Sequence, residues 1–319
     1  MWLYVLALIV GFITLVWSAD KFLSGAASTA DHMGMSRLLI GLTVVALGTS
    51  APEILVSVAA SIEGNTLIAV GNAIGSNIAN IGLVLGVTAM IAPLPFSQNV
   101  LRAELPWLLG ATFLALILLF DLELSVIDGL ILLGGLALIL WRLVVNQHQA
   151  EDVSTSIHEE LEDLPQMNRR QALLWLIVGL IVLLASARLL VWAAANIATQ
   201  LGVSELIVGL TIVAVGTSLP ELAATIGSAI KGHSDIAIGN VVGSNILNIL
   251  AVLAVPGLFG GIDIENVALW RDGGTMLALT LLLALFAYAI GSRPVITRFE
   301  GAIILFAWIG YNTMLFQQA

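Results

Sequence analysis

Residues 36–80 of this chain recur at 204–248. Aligned without a gap at an offset of 168, the two stretches share 23 of 45 residues. Chance does not supply such a match, so the chain carries an internal duplication. LTVVALGTSAPE (Leu42–Glu53) is answered by LTIVAVGTSLPE (Leu210–Glu221), and GNAIGSNIAN (Gly71–Asn80) by GNVVGSNILN (Gly239–Asn248). The same offset aligns LIVG at Leu8–Gly11 with LIVG at Leu176–Gly179. A duplicated chain folds as two similar units, and the solvent decides what those units are.

That solvent is lipid. Of 319 residues, 59% are hydrophobic and 10% charged, and the mean hydropathy is +1.05. A soluble domain carries about 25% charged residues. A helix crossing a bilayer needs about 20 mostly apolar residues. On that measure ten spans are predicted, near 2–20, 38–61, 67–91, 103–120, 124–144, 171–198, 205–230, 236–259, 271–290 and 296–316. The first lacks the positively charged start of a secretory leader and recurs inside the chain, so it is read as structure.

Five spans fall in each half, and an odd number turns the second copy upside down. The expected fold is an all-α integral membrane protein whose ten transmembrane helices form two inverted five-helix repeats. Residues 1–145 are the first repeat and 171–319 the second. Between them, 146–170 is an acidic loop holding Glu151, Asp152, Glu159, Glu160, Glu162 and Asp163. Threading puts Arg37, Arg102, Arg142, Arg169, Arg170, Lys231, Arg293 and Arg298 on one side and Arg271 on the other, with Lys21 and Arg188 in or near helix ends. The basic side is cytoplasmic by the positive-inside rule. The loop is then cytoplasmic and both termini face outward. Inverted repeats of this kind point to secondary transporters, with sites near the midplane where helices break. The absence of cysteine excludes disulfides and thiolate metal sites. A net charge of −10 argues against a nucleic-acid partner.

The GTS-x-PE motif predicts such a break. Pro52 has no amide hydrogen and clashes with the carbonyl four residues back, at Gly48, which bends easily. Carbonyls around Ala46–Gly48 are expected to lose their helical partners, and at membrane depth they need a cation or water instead. Glu53 lies one turn past the break, near mid-span, with Thr49 four residues before it. An intramembrane carboxylate marks a functional site unless it is paired. The bland alternative is a capping box, Ser50 to Glu53, starting a half-helix. It leaves unexplained why a helix starts at membrane depth twice, since Glu221 repeats the pattern. In the second motif Asn72, Ser76 and Asn80 share one helical face, as do Asn240, Ser244 and Asn248. Ordinary interhelical hydrogen bonding is the alternative for these, most of all for Asn72 and Asn240. Gly71 and Gly75 form a G-x-x-x-G close-packing pattern. The donors are all oxygen, which suits hard cations such as Ca²⁺ and Na⁺. His32, His148, His158 and His233 fall in loops or at span ends, which argues against a histidine metal site.

The paired GTSAPE/GTSLPE and GNAIGSNIAN/GNVVGSNILN motifs closely resemble the α-repeats of the cation/calcium exchanger superfamily, the sodium/calcium exchangers. The resemblance covers the whole chain and matches the compact prokaryotic members, which implies a prokaryotic plasma (inner) membrane. It implies a central diamond of sites: Glu53 and Glu221 for Ca²⁺, with Thr49, Thr217 and the carbonyls of Ala46 and Ala214. Ser50, Ser76, Asn80, Ser218, Ser244 and Asn248 join in or bind Na⁺. Some members carry Asp at the last motif position. Here Asn80 and Asn248 are neutral, so the core charge is expected to be −2.

The reading is a secondary active antiporter exchanging Ca²⁺ for Na⁺ by alternating access, with no cofactor. Ca²⁺/H⁺ exchange is the alternative, with protons on Glu53 and Glu221. A cation channel fits less well. TIVAVGTS has a faint likeness to a potassium filter, but that filter uses four like-oriented loops. An enzyme is not expected, because no nucleophile–base pair is visible.

Overall fold

A lone segment crosses lipid only as a helix, with its amides paired internally, and the apolar runs take that form. The computed structural model describes residues 1–33, 41–98, 100–147, 167–201, 214–264, 266, 269–288 and 294–318. Outside these lie the acidic residues of 151–163, His148, His158, Arg37, Arg293 and residues 205–213 of the seventh expected span. Helical segments otherwise occupy every expected span.

The first half holds α1 (Trp2–Met33), α2 (Ala46–Thr49), α3 (Ala51–Ile62), α4 (Thr66–Ala79), α5 (Gly86–Ile91), α6 (Leu105–Leu118) and α7 (Val126–Gln147). The second holds α8 (Arg169–Gln200), α9 (Ala214–Thr217), α10 (Leu219–Ile230), α11 (Ser234–Leu247), α12 (Ala254–Leu258), α13 (Gly274–Tyr288) and α14 (Arg298–Gln318). The α2–α3 span is bent by 50°, and α9–α10 is its counterpart. One π-helical turn, Asn80–Leu85, joins α4 to α5, and a second, Asn248–Val252, joins α11 to α12. Two more, Val100–Glu104 and Leu269–Gly273, lead into α6 and α13.

The duplication persists in the contacts. Two-residue strands β1 (Leu94–Pro95), β2 (Glu123–Leu124), β3 (Ile262–Asp263) and β4 (Val295–Ile296) make two antiparallel ribbons, β1 with β4 and β2 with β3. At the offset of 168, β1 corresponds to β3. The crossing of α1 with α8 repeats the theme. A Cβ added to Gly11 would lie 2.9 Å from Leu190, and one added to Gly179 would lie 2.6 Å from the amide of Phe22, the counterpart of Leu190. A Cβ on Gly25 would lie 2.4 Å from the amide of Leu176. The two longest helices therefore meet backbone to backbone.

Two apolar cores result. The larger gathers α4–α6 and α11–α13 around Ile78, Ile81, Leu105, Leu108, Ile249 and Leu283. The smaller lies under α1 and α8 and includes Leu15, Phe22, Leu23, Leu183 and Ala224. Phe12, Ile117, Ile181 and Phe306 are each more than 60% exposed, as a surface solvated by lipid tails requires.

Two expectations need correction. The first span, expected near 2–20, continues as helix to Met33. Its second half, FLSGAASTA, is not hydrophobic enough to announce a span, but Phe22, Leu23, Ala26 and Ala27 are buried. Lys21 and Arg188 lie inside α1 and α8, not near helix ends. Lys21 is held there by Asp20 at 3.6 Å and by the Trp175 ring at 5.7 Å.

Candidate functional site

Both GTS-x-PE motifs break their helices where proline predicts. Ser50 and Ser218 sit at the junctions with non-helical ψ of 5° and 3°, and Pro52 and Pro220 occupy the first turns of α3 and α10. That places Glu53 and Glu221 in first helical turns inside the protein, 1% and 0% exposed. Ser50, three residues before Glu53, hydrogen-bonds Glu221, which brings the two motifs together.

The capping-box alternative does not hold. Neither Ser50 nor Ser218 caps its helix through its side chain. Ser50 Oγ instead donates to Glu221 Oε1 at 3.1 Å, across the repeat boundary. Thr49 Oγ1 also crosses, donating to Asn240 Oδ1 at 3.1 Å. The Ala46 carbonyl, expected to be freed, accepts the Ser50 amide at 2.9 Å. A carbonyl oxygen carries two lone pairs, so this bond does not use all of its capacity to accept. In the second copy the Ser218 amide donates to Val215 at 3.2 Å. Ala214 opens α9.

The second motif supplies two different services. Asn72 Nδ2 donates to the Glu53 carbonyl at 3.0 Å, and Asn240 Nδ2 to the Glu221 carbonyl at 3.4 Å. These asparagines thus hold the backbone of the glutamates, which is close to their bland reading. Ser76, Asn80, Ser244 and Asn248 are buried. The π-helical turn starting at Asn80 packs against α10, the helix of Glu221, and that starting at Asn248 packs against α3, the helix of Glu53. Ser57 Oγ on α3 ties the latter contact with a bond to Val252 O at 2.9 Å. Thr217 lines a cavity of about 490 Å³ that reaches Pro52 and Pro220.

The side chains brought together are not satisfied by one another. Both oxygens of Glu53, Glu221 Oε2, the amides of Asn80 and Asn248, and the hydroxyls of Ser218 and Ser244 are buried without a hydrogen-bond partner among the described residues. Each such group costs about 1–3 kcal/mol, and charged ones more. Seven of these atoms are oxygens on the paired motifs of both repeats, a donor set that suits a cation that leaves, since a permanent structure would pair them. Among the described residues no cluster of three or more His, Asp or Glu could hold a metal. The donor set is two carboxylates plus neutral oxygens.

Asn77 and Asn245 were missed in the sequence. Both are buried, each has an unpartnered Oδ1, and Asn245 Nδ2 reaches Asn77 O, its own counterpart, at 3.5 Å. Their signal was identity between the copies, inside GSN. Close approach by glycine is visible at Gly243, whose added Cβ would lie 2.7 Å from Leu42 O. The equivalent partner of Gly75, Leu210, lies outside the described residues.

The family model described as "Sodium/calcium exchanger protein" matches residues 3–145 and 171–317. This chain belongs to the sodium/calcium exchanger family. The exchanger is 45% identical over 309 residues to a putative antiporter, CaxA, of Alkalimonas amylolytica, covering 97% of each chain. It is 31% identical over 349 residues to the sodium/calcium exchanger MaX1 of Methanosarcina acetivorans, covering 98% of each. Its fold is similar to a solved structure of the sodium-calcium exchanger NCX_Mj, with a TM-score of 0.82, 37% identity, and coverage of 98% of this chain and 99% of that one. The superfamily resemblance and the all-α membrane fold expected from sequence are therefore borne out. The exchanger is a membrane transporter by family, exchanging cations including Ca²⁺.

Proposed function

We propose that this exchanger moves Ca²⁺ against Na⁺ through one central cage built from the two inverted breaks. The carrying observation is that Glu53 and Glu221, buried and from opposite repeats, are joined through the Ser50–Glu221 hydrogen bond and keep three carboxylate oxygens without a partner among the described residues. Glu53 and Glu221 hold Ca²⁺ with Thr49, Thr217 and the carbonyls of Ala46 and Ala214. Ser50, Ser76, Asn80, Ser218, Ser244 and Asn248 complete the cage and take Na⁺. Asn80 and Asn248 add ligands without charge, so the core carries −2. One divalent ion neutralises it, and a second set of cations is then repelled. Mutual exclusion at one site, with access alternating between faces, produces exchange. The relatives named as sodium/calcium exchangers, and the NCX_Mj crystals soaked in Na⁺ and Ca²⁺, support this choice of ions.

The units of exchange are the repeats 1–145 and 171–319, joined by the 146–170 loop. The orientation follows the basic residues, with both termini outside and the loop in the cytoplasm of a prokaryote. The inner membrane protein YrbG of Escherichia coli, 40% identical over 312 residues, supports that location.

The test is Ca²⁺ uptake into reconstituted vesicles at constant pH and clamped voltage, with internal Na⁺ replaced by choline. Uptake should collapse without the outward Na⁺ gradient. Uptake that persisted and followed an imposed pH gradient would replace Na⁺ with H⁺ as the counter-ion. Acid alone decides nothing, since protons compete for the same carboxylates in either mode.

A further inference from the structure

The duplication gives each residue of the first half a counterpart 168 positions on, and four charged residues form a pattern the ion site does not use. Asp20 corresponds to Arg188, and Glu63 to Lys231. Their surroundings confirm the alignment. Ser18-Ala19 precedes Asp20 as Ser186-Ala187 precedes Arg188, and Ile-x-Gly brackets both Glu63 and Lys231. The bracketing glycines, Gly64 and Gly232, take matching positive φ of 80° and 77°, so the two turns are alike in shape as well.

Asp20 and Lys231 form an ion pair, with Nζ 2.5 Å from Oδ1, and Lys231 also donates to Ser24 at 3.2 Å. This pair ties α1 to the end of α10. The counterparts carry the same charges in exchanged positions, Arg188 on α8 and Glu63 at the end of α3. Among the described residues those two form no ion pair.

The packing around each pair differs in the same sense. On the Asp20 face, Gly227 is closed over by Leu23, whose Cδ1 would lie 2.9 Å from an added Cβ. Ala224 and Leu23 are buried there. Their counterparts on the other face are Ala59, Val56 and Val191. All three line the cavity of about 490 Å³, together with Arg188. One face is thus closed with its ion pair made, and the other is open with its ion pair apart.

We propose that Asp20–Lys231 and Arg188–Glu63 are alternate latches of the transport cycle. Each holds its face closed while the other face is open. The structure shows the first latched. Inverted symmetry requires a second state in which Arg188 meets Glu63, the cavity beside Ala59 closes, and Lys231 leaves Asp20. Lys21, 3.6 Å from Asp20, remains as a neighbour for the released carboxylate. Its counterpart is Leu189, so Arg188 has no such competitor on its own helix. This inference rests on alternating access and is indifferent to whether the counter-ion is Na⁺ or H⁺.

The chain has no cysteine, so Ala59→Cys in the full-length protein reports on the cavity alone. Labelling with a maleimide in detergent removes any dependence on sidedness. At a Na⁺ or Ca²⁺ concentration that half-protects this cysteine, Lys231→Glu should lower the labelling rate about two- to threefold, the scale of a partly exposed ion pair. Glu63→Lys should raise it toward the unprotected rate. Reversing both partners, Asp20→Lys with Lys231→Glu, should restore the starting value, which general damage to the fold would not do. Lys231→Gln and Glu63→Gln should give the same opposed shifts at smaller size. Shifts in one direction, or no restoration by the double reversal, overturn the latches while leaving exchange intact. Labelling that neither ion alters removes alternating access, and the latches with it.

Discussion

Asn72 and Asn240 occupy equivalent positions, and the structure predicts that their loss is felt unequally. Asn240 is 0% exposed and makes three side-chain hydrogen bonds. It accepts from Thr49 at 3.1 Å, donates to Thr225 Oγ1 at 2.9 Å, and donates to the Glu221 carbonyl at 3.4 Å. Among the described residues Asn72 makes one, to the Glu53 carbonyl at 3.0 Å. At about 1 kcal/mol net per bond, Asn240→Ala removes roughly 3 kcal/mol and Asn72→Ala about 1 kcal/mol. If the whole loss reached the ion site, Ca²⁺ affinity would fall about 100-fold for the first and about 5-fold for the second, since 1.4 kcal/mol is a factor of ten. Part of each loss goes instead into stability. The assay is therefore Ca²⁺ titration by calorimetry paired with thermal unfolding of each variant in the same detergent. The combined loss should be larger for Asn240→Ala. Equal losses, or a larger one at Asn72, would refute the view that these asparagines act by counting bonds to the glutamate backbone and its neighbours.

Glu53→Gln or Glu221→Gln removes half the core charge while nearly keeping its shape. Either should severely weaken Ca²⁺ transport in vesicles without preventing membrane insertion. Gly179→Ala puts a methyl 2.6 Å from the Phe22 amide, so it should lower thermal stability by about 1–3 kcal/mol. Gly110→Ala, with nothing within 4 Å of its added Cβ, should have little effect. For orientation, a single cysteine placed in 146–170 should resist a membrane-impermeant reagent applied to intact cells, while one at the N-terminus should react.

The parts of the site legible in the sequence were those written in covalent chemistry. Pro52 and Pro220 lack an amide, so the breaks follow wherever they sit. Glu53 and Glu221 are charged in an apolar run, so burial and proximity to the opposite repeat were the expectation their duplication supported. The illegible parts depend on tertiary pairing. Ser50 reads as a local cap, and only the folded chain shows its hydroxyl reaching Glu221 instead. The π-helical turns at Asn80 and Asn248 add one residue to a helical turn without any marker residue, so a 3.6-residue period passes over them. The inner half of α1 was missed because Phe22–Ala30 is too rich in small and hydroxyl residues to look membrane-embedded. Its burial comes from α8, 150 residues away in sequence.

The backbone crossing of α1 and α8 gives these helices a lever. Where helices pack ridge into groove, a change of angle must lift one row of side chains over another. At Gly25 and Gly179 the two backbones themselves approach, so a tilt pivots there without lifting a side chain at that point. Trp2 lies 23 residues from Gly25, which is about 35 Å of helix at 1.5 Å per residue. A tilt of only about 5° at the glycine carries that end through roughly 3 Å, comparable to the width of an ion. Small angular changes at a point with no charge and no ligand are thereby magnified into displacements large enough to matter at the membrane surface.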